Sequence, residues 1–193
     1  MKFHLIRHGR TDWNDLNHIQ GKSDIPLNEN GIIQAKKLSE QILADRIPIV
    51  HIYTSPLIRA VQTADILSSS LGIPYHVHAG LREVDLGNWE GLTWEEVADR
   101  FPDDYNKWHV NRRYVTATGG ESYNDMLLRT LDALKEIASV VSEDTAIITH
   151  SAVIMALLCY LNNEPFEKMK KFKAANATII TIDSNLLFVE KFV

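Results

Sequence analysis

The sequence predicts an α/β fold: a three-layer, doubly wound, mostly parallel sheet with helices on both faces and an antiparallel hairpin at the C-terminus. Three observations predict it. Short β-rich runs alternate with segments of helical period, the order that builds parallel sheets from crossover units. The helical segments carry apolar stripes that read as core faces. Near the end, "ATIITID" and "LLFVEKFV" flank the dipeptide "SN", the spacing of a closing hairpin.

The elements follow in order. "KFHLIR" at 2–7 opens as a strand, and a helix over about 30–45 follows, with Ala35, Leu38, Ile42 and Leu43 as its stripe. "IVHIYT" at 49–54 is the second strand, 57–71 the second helix, and "YHVH" at 75–78 a short third strand. Thr93 with Glu96 and Ser122 with Asp125 have capping-box spacing and mark two further helix starts. The second of these opens a helix over 122–141, with Leu127, Leu131, Leu134, Ile137 and Ala138 as its stripe. "TAIITH" at 145–150 is a strand, and a helix over 152–162 comes after it. Between them, 94–119 reads as a helix plus an irregular excursion. With 193 residues, 45% of them hydrophobic, the chain is expected to form one domain over 1–193.

Composition excludes several classes. The formal net charge is −5 and no long Lys/Arg run occurs, so neither nucleic acid nor a membrane surface is an expected partner. No apolar run approaches the roughly 18 residues of a membrane span, and "MKFHLI" meets Arg7 and His8 too early for a signal peptide. The single Cys159, inside "VIMALLCYL", allows no intrachain disulfide and reads as a buried thiol. A cytoplasmic location is expected.

In such sheets ligands bind outside the carboxyl ends of the strands. Arg7, His8 and Gly9 follow the first strand, Ser55 and Arg59 the second, Glu83 the third and His150 the fourth. A phosphoryl group needs rigid multidentate donors that stay cationic, and arginine supplies them. Arg59 falls in the first turn of a helix, where free backbone N–H groups also favour an anion. Gly9 would let the backbone approach a ligand closely, or take a φ that bulkier residues resist. Between two arginines, like-charge repulsion would hold His8 neutral, with a lone pair free to attack, and Glu83 could supply a proton to a leaving alkoxide.

These residues also carry a resemblance. "LIRHGRTDWN", "YTSPLIRAVQTA", "LREVDLGNWEG", "GGESYNDM" and "IITHSAVIMALL" resemble, in order, the signatures of the histidine phosphatase superfamily, in its phosphoglycerate mutase-like branch. The likeness runs from residue 3 to about 160, and the later "NATIITID" is also similar. It implies that His8 is the nucleophile that forms a phosphohistidine, that Arg7, Arg59 and His150 bind the phosphoryl group with Asn14 in support, and that Glu83 is the proton donor. It implies no metal and no cofactor, a small phosphorylated metabolite as substrate, and, from the habits of the family, a homodimer. It further implies that the insertion at about 94–119 covers the pocket and selects the substrate.

Other residues keep two readings. Asn14 would support the phosphate or cap a turn, and Thr11, Gln20 and Gly21 would line the pocket or serve turn chemistry. Arg112, Arg113 and Lys107 would meet a second anionic group on the substrate or stand as solvated charges. His76 and His78 share one strand face at the spacing of a metal pair, but no third ligand accompanies them and a solvent-facing reading is preferred. The tryptophans, including Trp89 and Trp94, read as core or lid packing. The tyrosine- and lysine-containing signature of the glycolytic mutases is missing, and Ser151-Ala152 stands after His150 where those enzymes have glycine. The expected activity is therefore metal-independent phosphomonoester hydrolysis through phosphohistidine, with phosphoglycerate mutase and a catalytically silent phospholigand-binding module as the alternatives.

Overall fold

The structure is a computed structural model describing residues 1–188. In chain order the elements are β1 (Lys2–Arg7), α1 (Asp12–Asp15), α2 (Glu29–Ala44), β2 (His51–Thr54), α3 (Ile58–Leu71), β3 (Tyr75–Val77), α4 (Trp94–Arg100), α5 (Pro102–Val110), α6 (Tyr123–Val140), β4 (Thr145–Thr149), α7 (Ser151–Leu161) and β5 (Ile179–Asp183). Short 3₁₀ turns at Ala79–Leu81, Gly87–Trp89, Phe166–Phe172 and Ser184–Leu187 complete the described chain. The sheet order is β3-β2-β4-β1-β5. All neighbours are parallel except β1 and β5, which are antiparallel.

The two central strands are buried along nearly their whole length, β4 through the apolar run Ala146–Ile147–Ile148 and β1 through Phe3, Leu5 and Ile6 with His4 buried among them. Alternation sorts their side chains: Phe3, Leu5 and Ile147 enter one core with Leu127, Leu134 and Leu157 of α6 and α7. Ile6, Ala146 and Ile148 enter the other with Leu38, Ala60 and Leu67 of α2 and α3. Both expected capping boxes form, Thr93 with Glu96 and Ser122 with Asp125. Leu43 leaves its expected stripe and is 55% exposed, while Ile42 before it stays buried. Cys159 is fully buried on α7, and burial raises its pKa to about 11.

Two expectations need correction. The 94–119 segment folds as two helices, α4 and α5, before its irregular stretch, with Pro102 opening the second. The expected two-residue hairpin turn at Ser184-Asn185 is a 3₁₀ turn instead: Asp183 Oδ1 accepts the Asn185 N–H at 2.9 Å and starts a local turn that runs through Leu187. β5 keeps its antiparallel pairing with β1, and 189–193 of the expected last strand lie outside the described residues. His76 and His78 divide: the His76 ring lies tilted against Tyr53 with centroids 5.3 Å apart, while His78 accepts the Gly80 N–H and pairs with Glu136 at 3.0 Å. No described helix is long and apolar enough to cross a membrane.

Register is what the site depends on. Arg7 pairs with Thr149 and Thr54 with Ile148, so β1, β2 and β4 end at one rim and deliver His8, Ser55 and His150 side by side. Truncating the central contact, Ile148→Ala, is expected to cost about 2–5 kcal/mol, measured as a lower urea midpoint at unchanged m-value.

Candidate active site

At the end of β1 the chain turns sharply, and the His8 N–H still bonds Thr149 O at 3.0 Å. His8 Nδ1 lies 2.6 Å from its neighbour's carbonyl, Gly9 O. A carbonyl only accepts, so Nδ1 carries the hydrogen and Nε2 keeps its lone pair. The absent Cβ of Gly9 serves a neighbour rather than a ligand: one built there would stand 2.5 Å from Gly31 O, and one on Gly31 would stand 2.1 Å from Arg10 O. The opening loop and the start of α2 thus meet backbone to backbone.

His150 is fully buried beside His8, with ring centroids 5.2 Å apart. Its Nε2 lies 2.7 Å from Ser55 Oγ, and its Nδ1 has no partner among the described residues. Burial drives both imidazoles well below their ordinary pKa, more than the charges of Arg59 and Arg7, which act in the same direction. Like-charge repulsion between the arginines is therefore the smaller cause of His8's neutrality.

Both arginines are held by main-chain carbonyls. Arg7 Nη1 donates to Ala174 O at 2.8 Å, and Arg59, the second residue of α3, donates to Ser23 O at 2.6 Å and Gly21 O at 2.7 Å. Among the described residues neither forms a salt bridge, and each keeps a buried Nε without a partner. Burial lowers Arg59 to about 10, so it stays cationic at neutral pH. Two buried guanidinium groups with no carboxylate within salt-bridge distance among the described residues, beside a neutral imidazole, favour an anion.

Glu83 faces the same cavity from the turn after β3. Its Oε1 accepts the Val84 N–H at 3.0 Å and its Oε2 the Ala152 N–H at 3.2 Å. Burial raises its pKa and outweighs those bonds and the charges of Arg59 and Arg7, which pull it down. A carboxyl biased toward its protonated form thus stands across from an imidazole biased toward its neutral form.

The cavity has a volume of about 410 Å³, with Arg7, His8, Asn14, Gln20, Gly21, Arg59, Glu83 and Arg112 among its lining residues. Asn14 lines the cavity, and its Oδ1 accepts the Thr11 N–H at 3.1 Å in the capping box of α1. Gln20 Oε1 is buried there without a partner among the described residues. Thr11 and Arg113 do not line the cavity. Thr11 is the cap of α1, and Arg113 donates to Asn124 Oδ1 at 3.0 Å and lies over Phe166, tying the 111–119 segment to α6. Lys107 points to Asp104 on the exposed face of α5.

Sequence reasoning missed Asn176. Its Nδ2 lies within hydrogen-bond distance of the carbonyls of His8 and Gly9, at 3.0 and 3.3 Å, and of Asn14 Oδ1 at 3.3 Å. The only signal for it is that Asn176 opens the similar string "NATIITID". Tyr123 and Trp108 also line the cavity, and nothing in their spacing marked them.

The geometry has a spectroscopic consequence. Because both pKa values are lowered, His8 and His150 take up a proton only below the usual histidine range. Imidazole ¹⁵N shifts are expected to stay those of neutral rings at pH 6, with His8 in the Nδ1–H form; titration of either ring near pH 6.5 would contradict the electrostatic account.

Similar proteins share this arrangement's overall frame. The chain is 29% identical over 183 residues to phosphoserine phosphatase 1 of Hydrogenobacter thermophilus, covering 94% of this chain and 86% of that one. It is 33% identical over 156 residues to the metal-independent phosphoserine phosphatase of Arabidopsis thaliana, covering 79% of this chain and 65% of that one. Among solved structures, mycobacterial glucosyl-3-phosphoglycerate phosphatase superposes with a TM-score of 0.83 at 28% identity, covering 94% and 92% of the two chains. A phosphoserine phosphatase mutant of Entamoeba histolytica in complex with phosphoserine gives 0.79 at 31%, covering 93% and 89%. The family model of the histidine phosphatase superfamily (branch 1) matches residues 3–186, and the chain belongs to that superfamily.

Proposed function

We propose that this chain hydrolyses phosphomonoesters of small carboxylate-bearing metabolites, phosphoserine first among them, through a phosphohistidine at His8. The carrying observation is the His8 ring, fixed by Gly9 O with its Nε2 lone pair free, beside two guanidinium groups that form no salt bridge among the described residues. In the first step Nε2 bonds to phosphorus, the bond from phosphorus to the ester oxygen breaks, and Glu83 gives its proton to that oxygen. In the second, water attacks the phosphorus, Glu83 takes back a proton, and the bond from phosphorus to nitrogen breaks, restoring neutral His8. Gly9 O stabilises the charge that the ring gains in between. Arg7 and Arg59 stabilise the equatorial oxygens, the work a metal would otherwise do. His150 supports the same group from beneath the cavity surface.

Arg112 supports the carboxylate part of the reading. It is 4% exposed, its guanidinium carbon sits 4.3 Å above the Trp108 ring, and its Nη2 contacts His109 Nδ1 at 3.2 Å. Its Nε is buried without a partner, and among the described residues it forms no salt bridge. A buried cation on the wall of a small cavity fits a second anionic group on the leaving side. The names of the two curated relatives, both phosphoserine phosphatases, agree with that choice.

The test is phosphate release from a panel of phosphomonoesters with EDTA present. Turnover of phosphoserine well above nitrophenyl phosphate, unchanged by the chelator and abolished in His8→Ala, is expected; full activity of His8→Ala would end the proposal. Arg112→Met is expected to lower kcat/KM for phosphoserine by about 10- to 100-fold while changing nitrophenyl phosphate little, as loss of a buried charge contact should. Equal losses on both substrates would remove Arg112 from the substrate's second anion.

A further inference from the structure

The turn that carries Glu83 has no regular hydrogen-bonding ladder, yet its position sets the acid's distance from the cavity floor. It lies between the 3₁₀ turns Ala79–Leu81 and Gly87–Trp89 and packs against α6. From the second turn of that helix, Arg129 reaches across to it. Arg129 Nη1 donates to Gly80 O at 2.9 Å and Arg82 O at 2.7 Å, and Nη2 donates to Glu83 O at 2.9 Å. The remaining donors go to one carboxylate: Nε to Glu121 Oε2 at 3.1 Å and Nη2 to Glu121 Oε1 at 2.5 Å. A guanidinium offers five N–H donors in a fixed plane, and here every one has an acceptor.

Glu121 closes the grip from the other side. Its Oε1 accepts the Asp85 N–H at 3.0 Å, and its own N–H donates to Asp85 O at 2.9 Å. The backbone from Gly80 to Asp85 is thus bracketed by one ion pair, with Glu83 in the middle. Both side chains are only 17% exposed, so the pair is well screened from water. Gly80 lets the turn sit this close, since a Cβ there would lie 2.7 Å from Ala133 Cβ on α6. Neither Arg129 nor Glu121 lines the cavity.

We infer that Arg129, braced by Glu121, is a positioning residue that holds Glu83 at proton-transfer distance from the leaving oxygen. The inference rests on the reading of Glu83 as general acid. Carbonyl capture by a planar fork explains why arginine serves: lysine presents a point charge with rotatable donors and cannot fix three carbonyls and a carboxylate together. Displacing a catalytic group by about 1 Å can cost on the order of 10²-fold. That loss belongs to the step that needs the proton.

Leaving-group dependence separates this from a general structural role. Glu83→Gln, Arg129→Lys and Glu121→Gln are compared with the parent on phosphoserine, whose alkoxide needs a proton, and on nitrophenyl phosphate, whose phenoxide leaves without one. Arg129→Lys is expected to lower kcat on phosphoserine by about 10- to 100-fold and on nitrophenyl phosphate by less than about 3-fold, with circular dichroism unchanged. The double variant with Glu83→Gln is expected to lose little more than Glu83→Gln alone, since both remove one function. Discrimination in Glu83→Gln with equal losses on both substrates in Arg129→Lys would overturn the positioning role alone. No discrimination in Glu83→Gln would overturn the acid reading, and the inference with it. If Arg129→Lys does not fold, Glu121→Gln, which keeps the carbonyl contacts but weakens the brace, is expected to show the same discrimination in smaller measure, and equal losses there would reject the role.

Discussion

The site depends on concentrating positive charge without neutralising it. Carboxylate partners would anchor guanidinium groups well and cancel the field that an incoming phosphoryl group needs. Here main-chain carbonyls do the anchoring: Ala174 O for Arg7, and Gly21 O with Ser23 O for Arg59. Carbonyl dipoles fix the geometry and leave the net charge in place. The same burial that makes the cations costly keeps His8 and His150 neutral and Glu83 inclined to hold its proton. One environment therefore shifts each of these groups in the direction the chemistry asks for.

Around that floor the wall is aromatic. Trp94 stacks on Trp108 with centroids 5.0 Å apart, and Trp89 meets Trp108 edge-on at 5.5 Å. The α4–α5 segment supplies Trp94, Tyr105 and Trp108 to the cavity, so the part of the fold that departs most from a plain doubly wound sheet forms one of its walls. Arg112 lies on this wall, its plane supported by the Trp108 ring. The strand ends supply the buried His8 and Arg7 of the cavity, and the helices laid over them supply its aromatic wall.

Much of this was legible in the sequence, for identifiable physical reasons. Short β-rich runs alternating with helical segments marked the strands of a parallel sheet, and a few boundary residues with capping-box spacing fixed two helix starts. Polar groups at strand ends pointed to Arg7, His8, Arg59, Glu83 and His150, and the register of the parallel strands brings four of them to one rim, with Glu83 facing it. What stayed illegible was mostly backbone. Carbonyls that hold arginines have no side-chain signature, and Gly9 is glycine because of Gly31, which only the tertiary contact reveals. Arg112 and Arg113 are adjacent and chemically identical, so only the fold could assign one to the cavity and the other to Asn124 and Phe166. At Ser184-Asn185 a local side-chain cap from Asp183 outcompeted the hairpin turn.

The most direct test of the account is the regiochemistry of the phosphoenzyme. Protein quenched in alkali during turnover of phosphoserine, digested and analysed by ³¹P NMR and mass spectrometry, is expected to carry its phosphoryl group on Nε2 of His8, because Gly9 O occupies the Nδ1 side. Phosphate on Nδ1 of His8, or on any other residue, would contradict the claim that this one carbonyl selects the nucleophilic nitrogen.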